Sequence, residues 1–434
     1  MINYFRRLFT LMRENKLFSS IYIVGTAVAI ASVTIVAMLF YVRIAPFYPE
    51  TNRMRTFYMG TSHFMSEEEN DMKTWFYSHK AVDECFRKLK NADVVTATLG
   101  NRNSCCIATA GDGEEFDACL NCTDCEFFRL YTYRFVEGHA FSKTEFEGGE
   151  RVAVITDRVG HRVFGRESGF IGEPIKINNE VYRVCGVVEE ASRLANNAFA
   201  DVFLPYTSCS SYDSENPELP YYGDYTIKML VSPAGQEEAL RKELEEYVGR
   251  YNSYYPKLSG NDYEWVLGEA PRSFFQQGFD EGGGKRGNSI VWTVFGLFLL
   301  IAAALIVVPA INLSGMVAWR MEERLPEMGI RKAFGARRSQ LLWQVLKDNF
   351  SLTLVGGVFG LVLAWVLMAV LRKMLLSNLF EMPTDTFIPG EVFFAPVVFV
   401  CAFCFCVVLN LMAAFIPAWL SLRRPIVKSM NETR

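Results

Sequence analysis

FSSIYIVGTAVAIASVTIVAMLFYV, Phe18 to Val42, runs for 25 residues without a charged side chain. A helix needs roughly 20 apolar residues to cross the hydrocarbon of a bilayer. Three further uncharged runs reach that length: Ser289 to Met316, Phe350 to Leu371 and Val392 to Leu420. The first run is too long for the apolar part of a cleaved leader, and its exit, YVRIAPFYP, offers no small-residue cleavage site. The pattern predicts an α-helical membrane protein with four transmembrane helices. A mixed α+β extracytoplasmic domain is inserted between helices 1 and 2.

Lysine and arginine in the short flanks set the orientation. Arg6, Arg7, Arg13 and Lys16 precede the first span, seven basic residues from Arg320 to Lys347 follow the second, and Arg423, Arg424, Lys428 and Arg434 follow the fourth. The connection Met374 to Glu391 has no basic residue and three acids, although Arg372 and Lys373 at its start run against the rule. Both termini and the segment between spans two and three are therefore expected inside. The expected order is a cytoplasmic interfacial helix over 1–17, spans at 18–42, 289–316, 350–371 and 392–420, an external domain over 43–288, a cytoplasmic coupling segment over 317–349, a short external loop over 372–391 and a cytoplasmic tail over 421–434. Charge divides in the same way. Residues 43–288 carry a net −12 and the remainder a net +8, which together give the chain's −4. An acidic exterior argues against nucleic acid as a ligand.

The external segment is long enough for its own core, divided into two subdomains. Ser66 to Asn91, with a serine and acids at its start, reads as helix. Gln236 to Tyr251 reads as a charged amphipathic helix. Strand-like runs fall at Asp93 to Ala110, Arg151 to Ile155, Glu173 to Ile177, Val181 to Val188, Tyr225 to Val231 and Tyr263 to Val266. Asn178-Asn179 between two of them suits a tight hairpin turn. Asp280 to Asn288, DEGGGKRGN, reads as a linker back to the membrane.

Eight of the eleven cysteines lie in this segment. In an oxidising compartment they are candidates for disulfides, with Cys105, Cys106, Cys119, Cys122 and Cys125 the clustered ones, and spacing does not say which of them pair. Free thiols, or metal or redox chemistry at CLNCTDC, are the alternatives. A zinc site there lacks an evident fourth ligand. The four histidines show no metal-ligand spacing, and no catalytic serine motif is present. GGGK at Gly282 to Lys285 fails as a phosphate loop, because Phe279 and Arg286 stand where a glycine and a Ser or Thr are needed. No catalytic residue, metal or cofactor is expected. The spans hold no ionisable side chain for a relay. Gly356 and Gly360 form a GxxxG suited to close helix packing.

EERLPEMGIRKAFGARRSQLLWQVL, Glu322 to Leu346, is basic, yet Met328, Ala333, Phe334, Leu341, Leu342, Val345 and Leu346 recur at helical spacing. The pattern predicts a short helix ending near Phe334, a turn at Gly335-Ala336, and a second helix entering the third span. Gly335 suits a helix end because glycine takes the left-handed conformation without steric penalty.

EMGIRKAFGA within that stretch resembles the signature loop of permeases of the MacB/FtsX superfamily, the type VII ABC transporters. INLSGM before it, PAWLSLRRPIVKSM near the C-terminus, and the pair FVEGHAFSKTEFEGGERVAVITDRVGHRVFG and IGEPIKINNEVYRVCGVVEE resemble other parts of the same family. The order of one span, a large external domain and three spans also agrees. The resemblance implies a non-catalytic permease of a bacterial inner membrane that works as a dimer, with itself or with a paralogous permease. A cytoplasmic ABC ATPase docks on it, binds the ATP and drives its periplasmic domain, a coupling called mechanotransmission. Carried over by position, Glu327, Gly329, Arg331, Lys332, Ala333, Gly335 and Ala336 form the ATPase-coupling element. The 434 residues hold no ATPase motif, so the ATPase is expected as a separate polypeptide. Efflux or lipoprotein and peptide handling is the implied task, with a periplasmic adaptor and an outer-membrane channel as further candidate partners. The alternative is a regulatory subunit that activates an envelope enzyme or sensor without export.

Overall fold

Three of the uncharged runs become helices whose apolar surface greatly exceeds what they bury against one another. In the computed structural model, residues 16–66, 71–99, 104–108, 115–209, 212, 216–231, 237–259, 262–268, 270–277, 334–380 and 395–423 are described, with scattered positions between 296 and 331. Among these, three helices are long and apolar enough to cross a membrane: Lys16–Ile44, Arg338–Phe380 and Pro396–Arg423. The expected second span lies mostly outside the described residues, and the described positions within it, such as 300, 307 and 311, are helical. The expected helix over 1–17 and the linker over 280–288 lie almost wholly outside them too. The third run extends further than its apolar stretch, since its helix starts at Arg338 and continues to Phe380.

Glycine decides how these helices meet. A Cβ added at Gly360 would lie 2.7 Å from the Ala27 carbonyl oxygen, and one at Gly356 would lie 3.0 Å from that of Ile23. The GxxxG therefore packs the 338–380 helix onto the first membrane helix of the same chain. Gly357, on another face, receives the Phe403 ring, 2.2 Å from where its Cβ would stand. Tyr22 and Thr353 hydrogen-bond through their hydroxyls at 3.1 Å across the glycine seam. Ala31, Met38, Ala364, Met368 and Phe399 continue the contact among the three helices.

Residues 44–293 form a separate unit. Its described strands join in one hydrogen-bonded network of 15 strands. Val152–Thr156 is buried at every position, as a strand covered on both faces must be. It runs parallel to Glu180–Val188 and antiparallel to Val202–Pro205, which in turn runs parallel to Glu115–Thr123 and places Leu204 opposite Cys122. Asn178 and Asn179 take φ of 48° and 68°, and Ile177 pairs with Glu180 across them. This is the two-residue hairpin that their side chains favour.

The helix expected over Ser66 to Asn91 is not formed. That stretch instead supplies the end of the strand Ser62–Ser66, the strand Asp71–Tyr77 and a short helix, His79–Glu84, whose N-cap is Ser78. Tertiary pairing overrides local propensity here. Asp71–Tyr77 hydrogen-bonds along Ser62–Ser66, and Tyr77 enters an aromatic cluster with Phe86 and Trp265. The helix Glu237–Ser259 closes that cluster by burying Leu240, Leu244 and Tyr251.

Candidate functional site

The segment singled out by the sequence is a helix–turn–helix. The Phe334 N–H donates to the Ile330 carbonyl at 3.1 Å, and the Ala336 N–H reaches back to Arg331 at 3.0 Å, across Gly335 at φ +93°. This is a Schellman-type helix end, in which only glycine sits without strain. The next helix begins at Arg338, where the Gln340 side chain accepts from the Arg337 N–H at 3.1 Å. Arg331 braces the two arms. It donates to Glu327 at 2.5 Å on its own helix and to Gln344 at 3.0 Å beyond the turn. All three contacts are exposed, so each is worth a few tenths of a kcal/mol. Burial of Met328, Leu341 and Val345 decides the geometry, at about 1.5–3 kcal/mol per large apolar side chain. These residues pack on Val317 and Met321, on Tyr22 of the first membrane helix, and on Ala414 and Ala418 of the helix Pro396–Arg423.

The opposite face of the turn is bare. Phe334 is 89 % exposed, and Ile330 on the same helix is exposed as well. Periodicity puts Phe334 on the buried side. The structure corrects that, because the chain reverses at Gly335 and swings the ring outward. Phe334 is not among the expected coupling residues; of those, Glu327, Arg331 and Gly335 are exposed and Ala336 is half-buried against the apolar cluster, while Gly329, Lys332 and Ala333 lie outside the described residues.

A second station, not expected from sequence, lies where the first membrane helix gives way to the mixed α/β unit. Glu50 and Arg53 are each 1 % exposed and bond at 2.6 Å through Arg53 Nε. Arg53 also donates to the carbonyls of Ala45 at 2.9 Å and Leu194 at 2.7 Å. Its guanidinium lies between the rings of Phe47 and Phe274. The other Glu50 oxygen accepts from the backbone N–H groups of Asn197 and Ala198. Nearby, the chain returning toward the membrane is sewn to the chain leaving it: Arg272–Ser273 pairs with Phe57 and Tyr58, and Gln277 exchanges amide hydrogen bonds with Asn197. One buried ion pair thus fastens the outgoing leg, the returning leg and the 194–198 loop. The sequence signal was slight, an EtnR spacing of three residues shared by many exposed pairs.

The strand register separates two of the CLNCTDC cysteines. Cys119 and Cys122 sit three apart on the strand Glu115–Thr123, which directs them to opposite faces. Cys106 and Cys105 lie on the neighbouring strand, Ser104–Ala108, and their side chains are outside the described residues. Cys122 instead meets Cys209, with the sulfurs 2.9 Å apart. No cluster of three metal-ligating side chains occurs among the described residues. Asp124 is a buried carboxylate whose pKa burial pushes up. It is tied to Thr96 at 2.6 Å, the Ala97 N–H at 3.1 Å and Arg87 at 3.5 Å, which gives it a structural task.

Two family models match the chain, a MacB-like periplasmic core domain over residues 19–247 and an FtsX-like permease C-terminal region over 294–426. The pyoverdine export ATP-binding/permease protein PvdT of Pseudomonas savastanoi pv. phaseolicola is 28 % identical over 264 residues, which cover 60 % of this chain and 37 % of that one. The macrolide export ATP-binding/permease protein MacB of Escherichia coli K12 is 27 % identical over 295 residues, covering 68 % and 40 %. The chain therefore spans well under half the length of these relatives. The periplasmic region of MacB from Actinobacillus actinomycetemcomitans matches at 15 % identity over 48 % of this chain and 88 % of that one, with a TM-score of 0.33.

Proposed function

This chain belongs to the MacB/FtsX family of ABC transporter permeases, and on that premise we propose that it is the membrane subunit of an ATP-driven export or lipoprotein- and peptide-handling system. An ABC ATPase, expected as a separate polypeptide, docks on the turn at Gly335 from the cytoplasm. The observation that carries this is the contrast between the two faces of the helix–turn–helix. One face is locked onto the membrane helices through Met328, Leu341 and Val345, and the other presents Phe334 almost fully exposed. An aromatic ring held out on a braced turn has the character of a binding hot spot. Because the turn leads without interruption into the 338–380 helix, which packs on the first membrane helix through glycine, a push at the turn is delivered to the leg that enters the α/β unit. The family relation supports work as a dimer in the inner membrane, with the α/β unit on the periplasmic side. The names of the two relatives support efflux as the task.

The test is co-purification from native membranes. Phe334→Asp removes the exposed ring while leaving the buried face intact. Insertion and the thermal midpoint are expected to stay at wild-type values while the ATPase is lost from the complex. Charge reversal at Arg331 and Lys332 is expected to act in the same direction. An ATPase that co-purifies at normal yield with Phe334→Asp sinks the docking assignment. A partner set that includes an outer-membrane channel supports export, whereas a cell-wall hydrolase or sensor without export supports the regulatory role.

A further inference from the structure

We propose that Cys122 and Cys209 form a disulfide that closes the inner part of the α/β unit. Their sulfurs stand 2.9 Å apart. Bonded sulfurs lie at about 2.05 Å, so closure needs a movement of under about 1 Å. The fold delivers the pair by defined steps. Cys122 lies near the end of the strand Glu115–Thr123 and pairs with Leu204. The strand Val202–Pro205 then ends in the 3-10 turn Tyr206–Ser208, and the Cys209 N–H closes that turn on the Tyr206 carbonyl at 3.0 Å. The turn folds Cys209 back beside the strand it has just run along.

The two sites differ in reactivity. Cys122 is buried, and Cys209 is half-buried and nearer solvent. The two thiols share a hydrogen bond, and that contact with Cys122 lowers the Cys209 thiol from its ordinary value. Cys209 is therefore the first nucleophile. Its thiolate attacks one sulfur of an incoming small-molecule or protein disulfide, breaks that S–S bond and expels one thiolate. Cys122 loses its proton and attacks the Cys209 sulfur of the mixed disulfide, and the second thiolate leaves. Two protein thiols are oxidised, one external disulfide is reduced to two thiols, and the two protons go to those leaving groups. Cys185 is no competitor. Its S–H points at the Ala153 carbonyl at 3.4 Å, and burial pushes its thiol up to about 12.

The cysteines are 87 positions apart. The strands Phe135–Gly138, Val152–Thr156, Pro174–Ile177, Glu180–Val188 and Val202–Pro205 lie between them. A bond closing so long a loop removes much of the freedom of the unfolded chain. For the bond to form in cells, the α/β unit must face an oxidising compartment, the one point at which this proposal rests on the function proposed above.

The experiment uses the full chain. Intact cells are treated with N-ethylmaleimide, the protein is purified without reductant, and its peptides are mapped by mass spectrometry. A peptide pair linked through Cys122 and Cys209 is expected, and Cys209→Ser should leave Cys122 alkylated. The thermal midpoint of the wild type should fall by on the order of 10 °C on reduction, while Cys209→Ser should not respond to reductant. A parallel sample of reduced, purified protein is incubated with oxidised glutathione. If Cys122 and Cys209 are both recovered unlinked there, or linked to other cysteines, the proposal is overturned. If the link forms with glutathione but is missing from cells, the pairing stands and the extracytoplasmic placement fails.

Discussion

Glu50 and Arg53 lend themselves to a quantitative test because every polar atom of the two side chains has a partner and both are 1 % exposed. Glu50→Gln leaves the Arg53 guanidinium buried without a counter-charge. Arg53→Met leaves the Glu50 carboxylate in the same position. Removing one member of a buried ion pair costs about 3–5 kcal/mol. For a unit of this size each kcal/mol moves the thermal midpoint by about 2–4 °C, so each variant should melt about 6–20 °C lower. The double variant has no stranded charge. Its loss should be clearly smaller than the sum of the single losses, because what remains is the set of backbone groups at Ala45, Leu194, Asn197 and Ala198 that lose partners. The assay is thermal unfolding of the purified full chain in detergent, followed by tryptophan fluorescence, in which buried Trp265 reports on the α/β unit. Single variants within about 2 °C of wild type, or strictly additive losses, would refute the view that the pair fastens the two legs of the chain.

Other consequences are equally open to measurement. Gly360→Val should lower the thermal midpoint by the several degrees that about 1–3 kcal/mol of overpacking implies, because its Cβ meets Ala27. Gly25→Val on the first membrane helix has nothing within 4 Å and should melt as wild type; equal behaviour of the two variants would remove the seam. In the reduced chain, iodoacetamide should modify Cys209 faster than Cys185, whose thiol burial pushes up to about 12. The sign of the accompanying stability change follows from linkage. An unfolded thiol ionises near its ordinary value of about 9 while folded Cys185 stays protonated to about 12, so the unfolded state gains as pH rises across that interval. Burial pushes Cys85 the same way, and the loss of stability as pH rises should be shallower when both are replaced by alanine.

What the sequence disclosed was local. The Gly335 turn, the Asn178-Asn179 hairpin and the uncharged spans follow from single-residue conformational preference or from hydropathy, and each could be read from a short window. What it concealed depends on distant partners. Phe334 fits the apolar stripe of its helix, and only the reversal one residue later exposes it. Cys122 has cysteines three residues away on either side, yet it meets a cysteine from 87 positions downstream. Glu50 and Arg53 look like an ordinary surface pair until Phe47, Leu194 and Phe274 close over them. The segment Ser66 to Asn91 imitates a helix start through its acids and serine, while its strand is specified by pairing with Ser62–Ser66.

The helix that begins just past Gly335 runs for 43 residues. At a rise of about 1.5 Å per residue it is a rod of about 64 Å, roughly twice the thickness of bilayer hydrocarbon. A rod of that length is a gear as well as an anchor. Each 5° of tilt about one end carries the other sideways by about 5–6 Å. On the docking proposed above, a tilt of that size at the Gly335 end displaces the far end by more than the width of a side chain.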